Sequence, residues 1–186
     1  MLIEFLHTIN WVDIVIMVSL LILFFLGVKK GFIGGIFWLL GIYLASVLAL
    51  HYYPQAAESL GSLIGISSPM FEILSIALIV VAVLLTFWIL RAALKTIIKA
   101  ESVKPVDTIF GIVTSACSAL LLVSLLLVFF YSSNVSYLEQ AVLDSRLSKT
   151  FIQPAPKAYL FTWKNVLSKF MTKSEVNNGV NAFIEL

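Results

Sequence analysis

The sequence predicts an all-α membrane protein with four transmembrane helices, followed by a C-terminal tail that contains short amphipathic helices. Two observations on composition point this way: the 186 residues are 61% hydrophobic and only 12% charged. A soluble domain carries about 25% charged residues. A third observation is that several apolar segments reach the length of about 20 residues that a helix needs to cross a hydrocarbon core of roughly 30 Å.

Four spans are predicted, at about 11–28, 32–53, 71–94 and 106–131. Residues 1–131 then form the transmembrane domain, and residues 132–186 form an extramembrane helical tail. The first two spans come from one apolar stretch that "VKKG" interrupts. A single helix there would place two lysines near the bilayer centre, at about 2.5 to 3.5 kcal/mol each. A turn at this point avoids that cost, and Gly27 and Gly31 permit it.

The distribution of Lys and Arg predicts the orientation. The two connections that carry basic residues are expected in the cytoplasm, because short cytoplasmic loops are enriched in Lys and Arg. The N-terminal segment and the connection "PQAAESLGSLIGISSP" carry none. Both termini are therefore predicted outside the cytoplasm. The residues that act as topology anchors are Lys29, Lys30, Arg91, Lys95, Lys99 and Lys104.

Small residues recur at helical spacing in two of the spans. Span two contains the series Gly34, Gly41, Ala45 and Ala49, and span four contains Gly111, Ser115 and Ser118. Small side chains let helix backbones approach closely in lipid. We expect both faces to be packing surfaces, within one chain or between chains. The other interpretation of these stripes is a lining for a polar path.

Ionisable residues in the spans suggest no site for catalysis. Asp13 and Asp107 lie near the N-terminal ends of spans one and four, where a carboxylate can cap a helix and complement its dipole. His51 precedes two tyrosines, which is typical of an aromatic belt rather than a metal ligand. Nucleotide-binding, hydrolase and metalloprotease motifs do not occur. We therefore expect no enzyme and predict no catalytic, cofactor-binding or metal-binding residue.

The tail is predicted to contain two short helices, because Pro154 and Pro156 prevent one continuous helix. In the second of them an apolar face is flanked by lysines, a pattern that favours a helix lying in the headgroup region. The same pattern fits an amphipathic helix packed on the protein's own loops. The apolar face consists of Tyr159, Leu160, Trp163, Leu167, Phe170 and Met171.

Four motifs together carry a family resemblance. They are "NWVDIVIM" at the start of span one, a basic pair followed by Gly31 and Phe32, "ASVLALHYYP" at the end of span two, and "VDTIFGIVTSA" at the start of span four. In their order and spacing, over about residues 8–130, the chain resembles the CvpA (colicin V production) proteins of bacterial inner membranes. Asp107 and Gly111 match the family pattern. Ser115 and Ser118 stand where the family has Gly and Arg.

The resemblance implies a multi-pass protein of the bacterial cytoplasmic (inner) membrane that contributes to production or export of a toxin of the colicin V type. It also implies roles in envelope homeostasis and biofilm behaviour. We expect a non-enzymatic accessory protein whose partners are the lipid bilayer and either further copies of the chain or other membrane proteins, with no nucleic acid. The alternative is a small oligomeric channel or transporter with a path lined by Ser and Thr.

Overall fold

The computed structural model describes residues 10–28, 31–64, 70–97, 104–133, 135–171 and 175–185. Across these ranges the backbone is mostly helical and contains no strand. The predicted all-α fold is confirmed. The first four helices among the described residues are long: α1 (Trp11–Val28), α2 (Gly31–Ile64), α3 (Met70–Ile97) and α4 (Lys104–Tyr131).

Three of these helices contain a segment long and apolar enough to cross a membrane: Gly34–Leu63 in α2, Met70–Ala93 in α3 and Thr108–Tyr131 in α4. The apolar part of α1, Trp11–Leu26, is shorter. The chain is thus a membrane protein with at least three candidate spans. Whether the chain has four spans depends on α1, so the count of four spans stays a prediction.

The tail consists of short helices. They are α5 (Ser136–Asp144), α6 (Ser148–Phe151), α7 (Pro154–Thr162), a π-helical turn (Trp163–Leu167), α8 (Ser168–Phe170) and a 3₁₀ helix (Asn178–Phe183). Pro154 is the first residue of α7, where a missing N–H costs nothing. The break predicted around "QPAPK" therefore lies between α6 and α7.

One helix differs clearly in length from its predicted span. Span two was expected to end near Tyr53, yet α2 continues through Pro54 to Ile64. Proline inside a helix removes one backbone hydrogen bond. The structure supplies a substitute donor for the carbonyl that Pro54 leaves free, as described below, and the helix-favouring sequence "QAAESL" then continues the helix.

The bundle is built around α2 and α4. These two helices pack on each other, α3 packs mainly on α2, and α1 packs mainly on α4. The most apolar window of α3 is only 11% buried inside the protein. The rest of α3, including Leu78, Leu85 and Trp88, is exposed apolar surface, and a surface of that extent is characteristic of a site for contact with a membrane or with another protein.

The hydrophobic core is shared between bundle and tail. A single cluster of buried side chains contains Val12, Ile42 and Val128 from the spans together with Ile152 and Tyr159 from the tail. The tail therefore does not merely follow the bundle in sequence; it is packed against α2 and α4.

Candidate functional site

The candidate functional site is the junction where polar side chains of the bundle bind the tail. We call it the tail–bundle junction and define it by seven residues: Asn10, Asp13, His51 and Ser124 from the bundle, and Tyr159, Trp163 and Asn177 from the tail. Each makes a contact between bundle and tail.

At one end of the junction, α1 binds the segment around α5 and α6. The side chain of Asn10 donates to the carbonyl of Ala141 over 2.6 Å. The carboxylate of Asp13 accepts from the hydroxyl of Ser145 over 2.5 Å and from the backbone N–H of Leu147 over 3.1 Å. The start of α1 and the tail therefore lie at the same end of the bundle.

These contacts change the role predicted for Asp13. The side chain of Asn10 accepts from the backbone N–H of Val12 over 3.0 Å and so caps α1. Asp13 stays in the first turn, where its charge complements the helix dipole, but its hydrogen bonds go to the tail. The expected capping role thus belongs to Asn10. The side-chain oxygen of Asn10 reaches the N–H of Val12, whereas the carboxylate of Asp13 lies beside the donors of the tail.

In the middle of the junction, Ser124 of α4 holds the start of α7. Its hydroxyl donates to the carbonyl of Ile152 over 2.5 Å and accepts from the N–H of Ala155 over 2.9 Å. Ser124 and Ala155 are both fully buried. One hydroxyl therefore satisfies two backbone groups at the α6–α7 connection, which would otherwise be buried without a partner.

At the other end, His51 of α2 lies in an aromatic cluster. Its Nδ1 atom is 3.1 Å from the hydroxyl of Tyr159. The ring of Trp163 stacks on the imidazole, with centroids 5.0 Å apart, and Tyr52 contacts it edge-on at 4.5 Å. His51 is buried, and its Nε2 atom finds no hydrogen-bond partner among the described residues.

A π-helical turn lies at this end of the junction. It begins directly after α7 and contains Trp163 as its first residue. A π-helical insertion shifts the side chains that follow, and such insertions are frequent at functional sites. The hydroxyl of Thr162, one residue earlier, is 2.5 Å from that of Tyr43 in α2. Two consecutive tail residues thus bind the same helix.

Asn177 closes the junction and compensates for Pro54. In a regular helix the N–H of residue 54 would bond to the carbonyl of Leu50, but proline has none. The side-chain amide of Asn177 donates to that carbonyl over 2.7 Å. Its backbone N–H donates to the hydroxyl of Tyr159 over 2.9 Å, and its side-chain oxygen caps the 3₁₀ helix at Gly179.

Burial raises the pKa of the Tyr159 phenol, and the hydrogen bond from the N–H of Asn177 opposes part of this rise. The phenol therefore stays protonated at neutral pH and keeps both its donor and its acceptor function. The contact of this hydroxyl with His51, together with the stacking of Trp163 on the same ring, holds the tail on α2.

The predicted small-residue faces lie inside the bundle. Gly34, Gly35 and Gly111 are buried, and a Cβ atom at Gly35 would clash with the hydroxyl oxygen of Thr114 in α4. A Cβ atom at Gly41 would be 3.0 Å from the ring of Phe87 in α3. Glycine therefore permits close approach of α2 to both neighbours.

Four hydroxyls of α2 and α4 bond to their own helices. Ser46 donates to the carbonyl of Ile42, Thr114 to that of Phe110, and Ser118 to that of Thr114. Ser115 likewise donates to the carbonyl of Gly111 over 2.5 Å. All four hydroxyls are buried.

The other predicted residues are less informative. Phe32 packs on Phe110, with ring centroids 5.0 Å apart, and Arg91 is half-buried near the end of α3. Lys29, Lys30 and Lys99 lie outside the described residues. Of Lys95, Lys104 and Asp107 only the helical backbone is described, and Gly31 is the first residue of α2.

The apolar face of the second tail helix packs mainly on the protein. Tyr159 is buried, Leu160 and Leu167 pack against the core cluster, and Trp163 stacks on His51. Of the two sequence interpretations, packing on the protein therefore applies to most of this face, although it packs on α2 and α4 rather than on loops. Phe170, at the end of the face, is 82% exposed.

Sequence reasoning missed most of the junction. It assigned His51 to an aromatic belt, considered Ser124 only as part of a polar path in the channel alternative, and did not single out Asn10 or Asn177. Only two local signals existed: an Asn directly before an apolar helix is typical of a cap, and "NNG" is typical of a turn. Among the described residues, no group of three His, Cys, Asp or Glu side chains could hold a metal ion.

Comparison with known proteins gives one match. The family model described as colicin V production protein matches residues 12–156. Neither the curated proteins nor the solved structures gave a match. The matched range contains both partners of the Asp13–Ser145 and Ser124–Ala155 contacts, and it ends before Tyr159, Trp163 and Asn177.

Proposed function

Because the chain belongs to the colicin V production protein (CvpA) family, we propose that it is a non-enzymatic accessory protein of the bacterial inner membrane. The family match supports a CvpA-like role in colicin V production. Our proposal adds that the protein assists the production or export of the toxin and contributes to envelope homeostasis. The observation that carries it is the family match itself, which extends from α1 across the bundle into the tail.

The structure supports an accessory role through the way in which the polar groups are used. The hydrogen bonds of the Asp13 and Ser124 side chains bind the tail to the bundle. These contacts give the tail a fixed position on the bundle, and a fixed surface is what a docking or assembly protein presents to partners. Further copies of the chain or other membrane proteins are the partners that we propose.

The orientation that we propose places both termini outside the cytoplasm. The basic connections favour this orientation, and the contact between Asn10 and Ala141 puts the start of α1 and the tail at one end of the bundle. If α1 crosses the membrane as well, the chain crosses it an even number of times. The start of α1 and the tail then lie on the same side, which fits this contact. The tail would then face the periplasm.

The channel alternative receives less support. It needs the hydroxyls of the spans to converge on a path, and the candidates are Ser46, Thr86, Thr114, Ser115, Ser118 and Ser124. Those of Ser46, Thr114, Ser115 and Ser118 donate to carbonyls of their own helices, and that of Ser124 bonds to the tail. Thr86 lies on the exposed side of α3 and also bonds to its own helix. The accessory role is therefore the function that we propose.

A replacement experiment tests the proposal. The family member of a colicin V-producing bacterium is deleted and replaced by this chain, and toxin release is measured as growth inhibition of a sensitive strain. We expect restored inhibition with the wild-type chain and with the control variant Ser118→Ala. Failure of a chain that is inserted in the membrane at normal level would contradict the proposal. Saturable solute flux through liposomes containing the purified protein would favour the channel.

Orientation is tested separately with reporters fused after Leu186. A reporter that is active only outside the cytoplasm should be active, and one that is active only in the cytoplasm should be silent. The reverse pattern would overturn the proposed orientation while leaving the toxin assay unaffected.

A further inference from the structure

The last described residues, 175–185, form a short segment that lies against the bundle, and we call it the C-terminal strap. Phe183 in its 3₁₀ helix is buried and contacts Tyr131 at the end of α4 edge-on, with ring centroids 5.7 Å apart. Asn177 binds a backbone carbonyl of α2 and the hydroxyl of Tyr159 in α7. The C-terminal strap is therefore attached to α2, α4 and α7.

A directed hydrogen-bond network connects the C-terminal strap to His51. The backbone N–H of Asn177 donates to the hydroxyl of Tyr159 over 2.9 Å, so the phenol oxygen is the acceptor there. The same hydroxyl is 3.1 Å from Nδ1 of His51, which is the one acceptor that the described residues offer to its proton. The network thus assigns to His51 the neutral tautomer in which Nδ1 accepts and Nε2 carries the proton.

The surroundings of His51 suit a neutral ring. The side chain is 3% exposed, and its Nε2 atom has no hydrogen-bond partner among the described residues. The groups that contact the imidazole are the rings of Tyr52, Tyr159 and Trp163. None of them carries a charge at neutral pH. A proton taken up by this ring would therefore create a buried cation without a counter-charge beside it.

The neighbouring elements bring no carboxylate to the imidazole within the described part of the chain. The carboxylate of Glu72 acts on the phenol of Tyr53, whose oxygen faces Gly179 of the C-terminal strap. Lys164 and Glu175 are exposed. The titratable groups of the elements around His51 are Tyr52 and Tyr53 of α2, Glu72 of α3, Tyr131 of α4, Tyr159 of α7, Lys164 of the π-helical turn, and Glu175 and Glu185 of the C-terminal strap.

Protonation of His51 reverses the polarity of its contact with Tyr159. Nδ1 becomes a donor, and it then faces the O–H of the phenol, which is a donor too. The phenol oxygen can accept from Nδ1 and from the N–H of Asn177 together, but its own proton then has no acceptor among the described residues. One buried donor is left without a partner, and the cation is buried as well. Stacking on Trp163 offsets only part of this penalty, because a ring face does not replace a hydrogen-bond acceptor.

We propose that His51 and Tyr159 form a pH-sensitive latch, which holds the C-terminal strap on the bundle while the imidazole is neutral and releases it when the imidazole takes up a proton. In the detached state the imidazole contacts water and titrates near pH 6.5, the ordinary value for histidine. The detached state then binds more protons than the attached state, so the attachment weakens as the pH falls below about 6.5. This regulation goes beyond the proposed function and does not depend on it.

Hydrogen exchange of the full-length protein in lipid nanodiscs tests the latch, once the rates are corrected for the pH dependence of chemical exchange. Peptides that contain Tyr159 or Asn177 should lose about thirtyfold in protection when the pH falls from about 7.5 to about 5. This is the factor for a detached state that binds one proton near pH 6.5 and an attached state that binds none. Peptides of α3 should keep their protection. Unchanged protection of the C-terminal strap, or an equal loss in α3, would overturn the latch.

The chain contains two histidines, His7 and His51, and they provide matched variants for the same measurement. His51→Phe keeps an aromatic ring on Trp163 and takes up no proton, so the C-terminal strap should have equal protection at both pH values. His51→Gln, which does not titrate either, is the second variant and should also remove the pH dependence. His7→Phe is the control and should retain the thirtyfold loss. A loss of protection that persists in both His51 variants, or that disappears in His7→Phe, would overturn the proposal.

Discussion

At the scale of single residues, Pro54 and Asn177 form a compensating pair. Proline leaves the carbonyl of Leu50 without its helical donor, and Asn177 supplies one over 2.7 Å. Leu50 is fully buried, so the carbonyl has no easy access to water. The carbonyl that Pro54 leaves free is therefore satisfied by a residue that lies 127 positions after Leu50 in the sequence.

This pair predicts a measurable coupling. Asn177→Ala should lower the free energy of unfolding by about 1 to 3 kcal/mol, because it leaves a buried carbonyl unpaired. In a Pro54→Ala background the same substitution should cost less, since the N–H of residue 54 then binds Leu50. A double-mutant cycle in detergent measures the difference.

The control for this cycle is Asn165→Ala. The side chain of Asn165 also donates to a backbone carbonyl, that of Phe161, but on an exposed surface and within its own helix. Its loss should be nearly neutral in both backgrounds. Equal costs of Asn177→Ala with and without Pro54 would contradict the compensation.

His51 and Tyr159 predict a second contrast at the residue scale. Tyr159→Phe removes the hydroxyl that binds both His51 and the N–H of Asn177, and it should cost about 1 to 3 kcal/mol of unfolding free energy. His51→Phe should cost less. It keeps the stacking on Trp163 and removes the Nε2 atom that has no partner among the described residues.

Thermal unfolding of the two variants, side by side in the same detergent, measures this contrast. A His51→Phe variant that is clearly less stable than Tyr159→Phe would show that the Nε2 atom has a partner of its own, such as an ordered water. The junction would then contain a further hydrogen bond to account for.

At the scale of elements, α4 uses its serines in two different ways. Ser118 donates to the carbonyl of Thr114 in its own helix, and Ser124 connects α4 to the tail. Both are buried. Both serines lie in the same apolar span, and nothing in the local sequence shows that one of them contacts the tail. What separates them is whether the tail offers unpaired backbone groups nearby.

Replacing each serine by alanine tests this distinction. Ser124→Ala should destabilise the protein by about 1 to 3 kcal/mol, because the carbonyl of Ile152 and the N–H of Ala155 lose their partner. Ser118→Ala should be close to neutral, since the carbonyl of Thr114 keeps its regular helical bond. Denaturation in detergent, followed by loss of helical signal, gives both values. Similar values for the two variants would argue against the connection.

At the scale of the whole molecule, bundle and tail share one core. The cluster that contains Val128 of α4 also contains Val142, Ile152 and Tyr159 of the tail. The C-terminal half of α4 is largely buried and packs on α1, α2 and tail helices. The tail thus covers part of the bundle that would otherwise be exposed.

Truncation after Ser133 tests how far the bundle depends on the tail. We expect the shortened chain to accumulate at a level several times lower than the full chain, because apolar surface and the polar groups of Asp13 and Ser124 lose their partners. A chain ending after Met171 is the control that keeps α5 to α8. It should be affected less, through the loss of Asn177. Normal accumulation of both would show that the bundle folds alone.

Sequence reasoning went furthest with the long helices. The start and end of α1, and the starts of α3 and α4, lie within about two residues of the predicted spans, because apolar length and the exclusion of charge are local properties. The predicted end of span two was wrong as the end of α2, because proline ordinarily stops a helix and this helix continues past Pro54. Tail contacts at Asp13, His51 and Ser124 had no local signal, since each depends on a distant donor or acceptor.

The sequence by itself determined that this is a helical membrane protein, where its long helices lie, and which family it resembles. Only the tertiary structure decided that the tail packs into the bundle, that α2 continues past Pro54, and that His51 lies against Tyr159 of the tail. The physical reason is that a hydrocarbon core selects segments by their own composition, whereas a buried polar group must find its partner wherever the fold brings one.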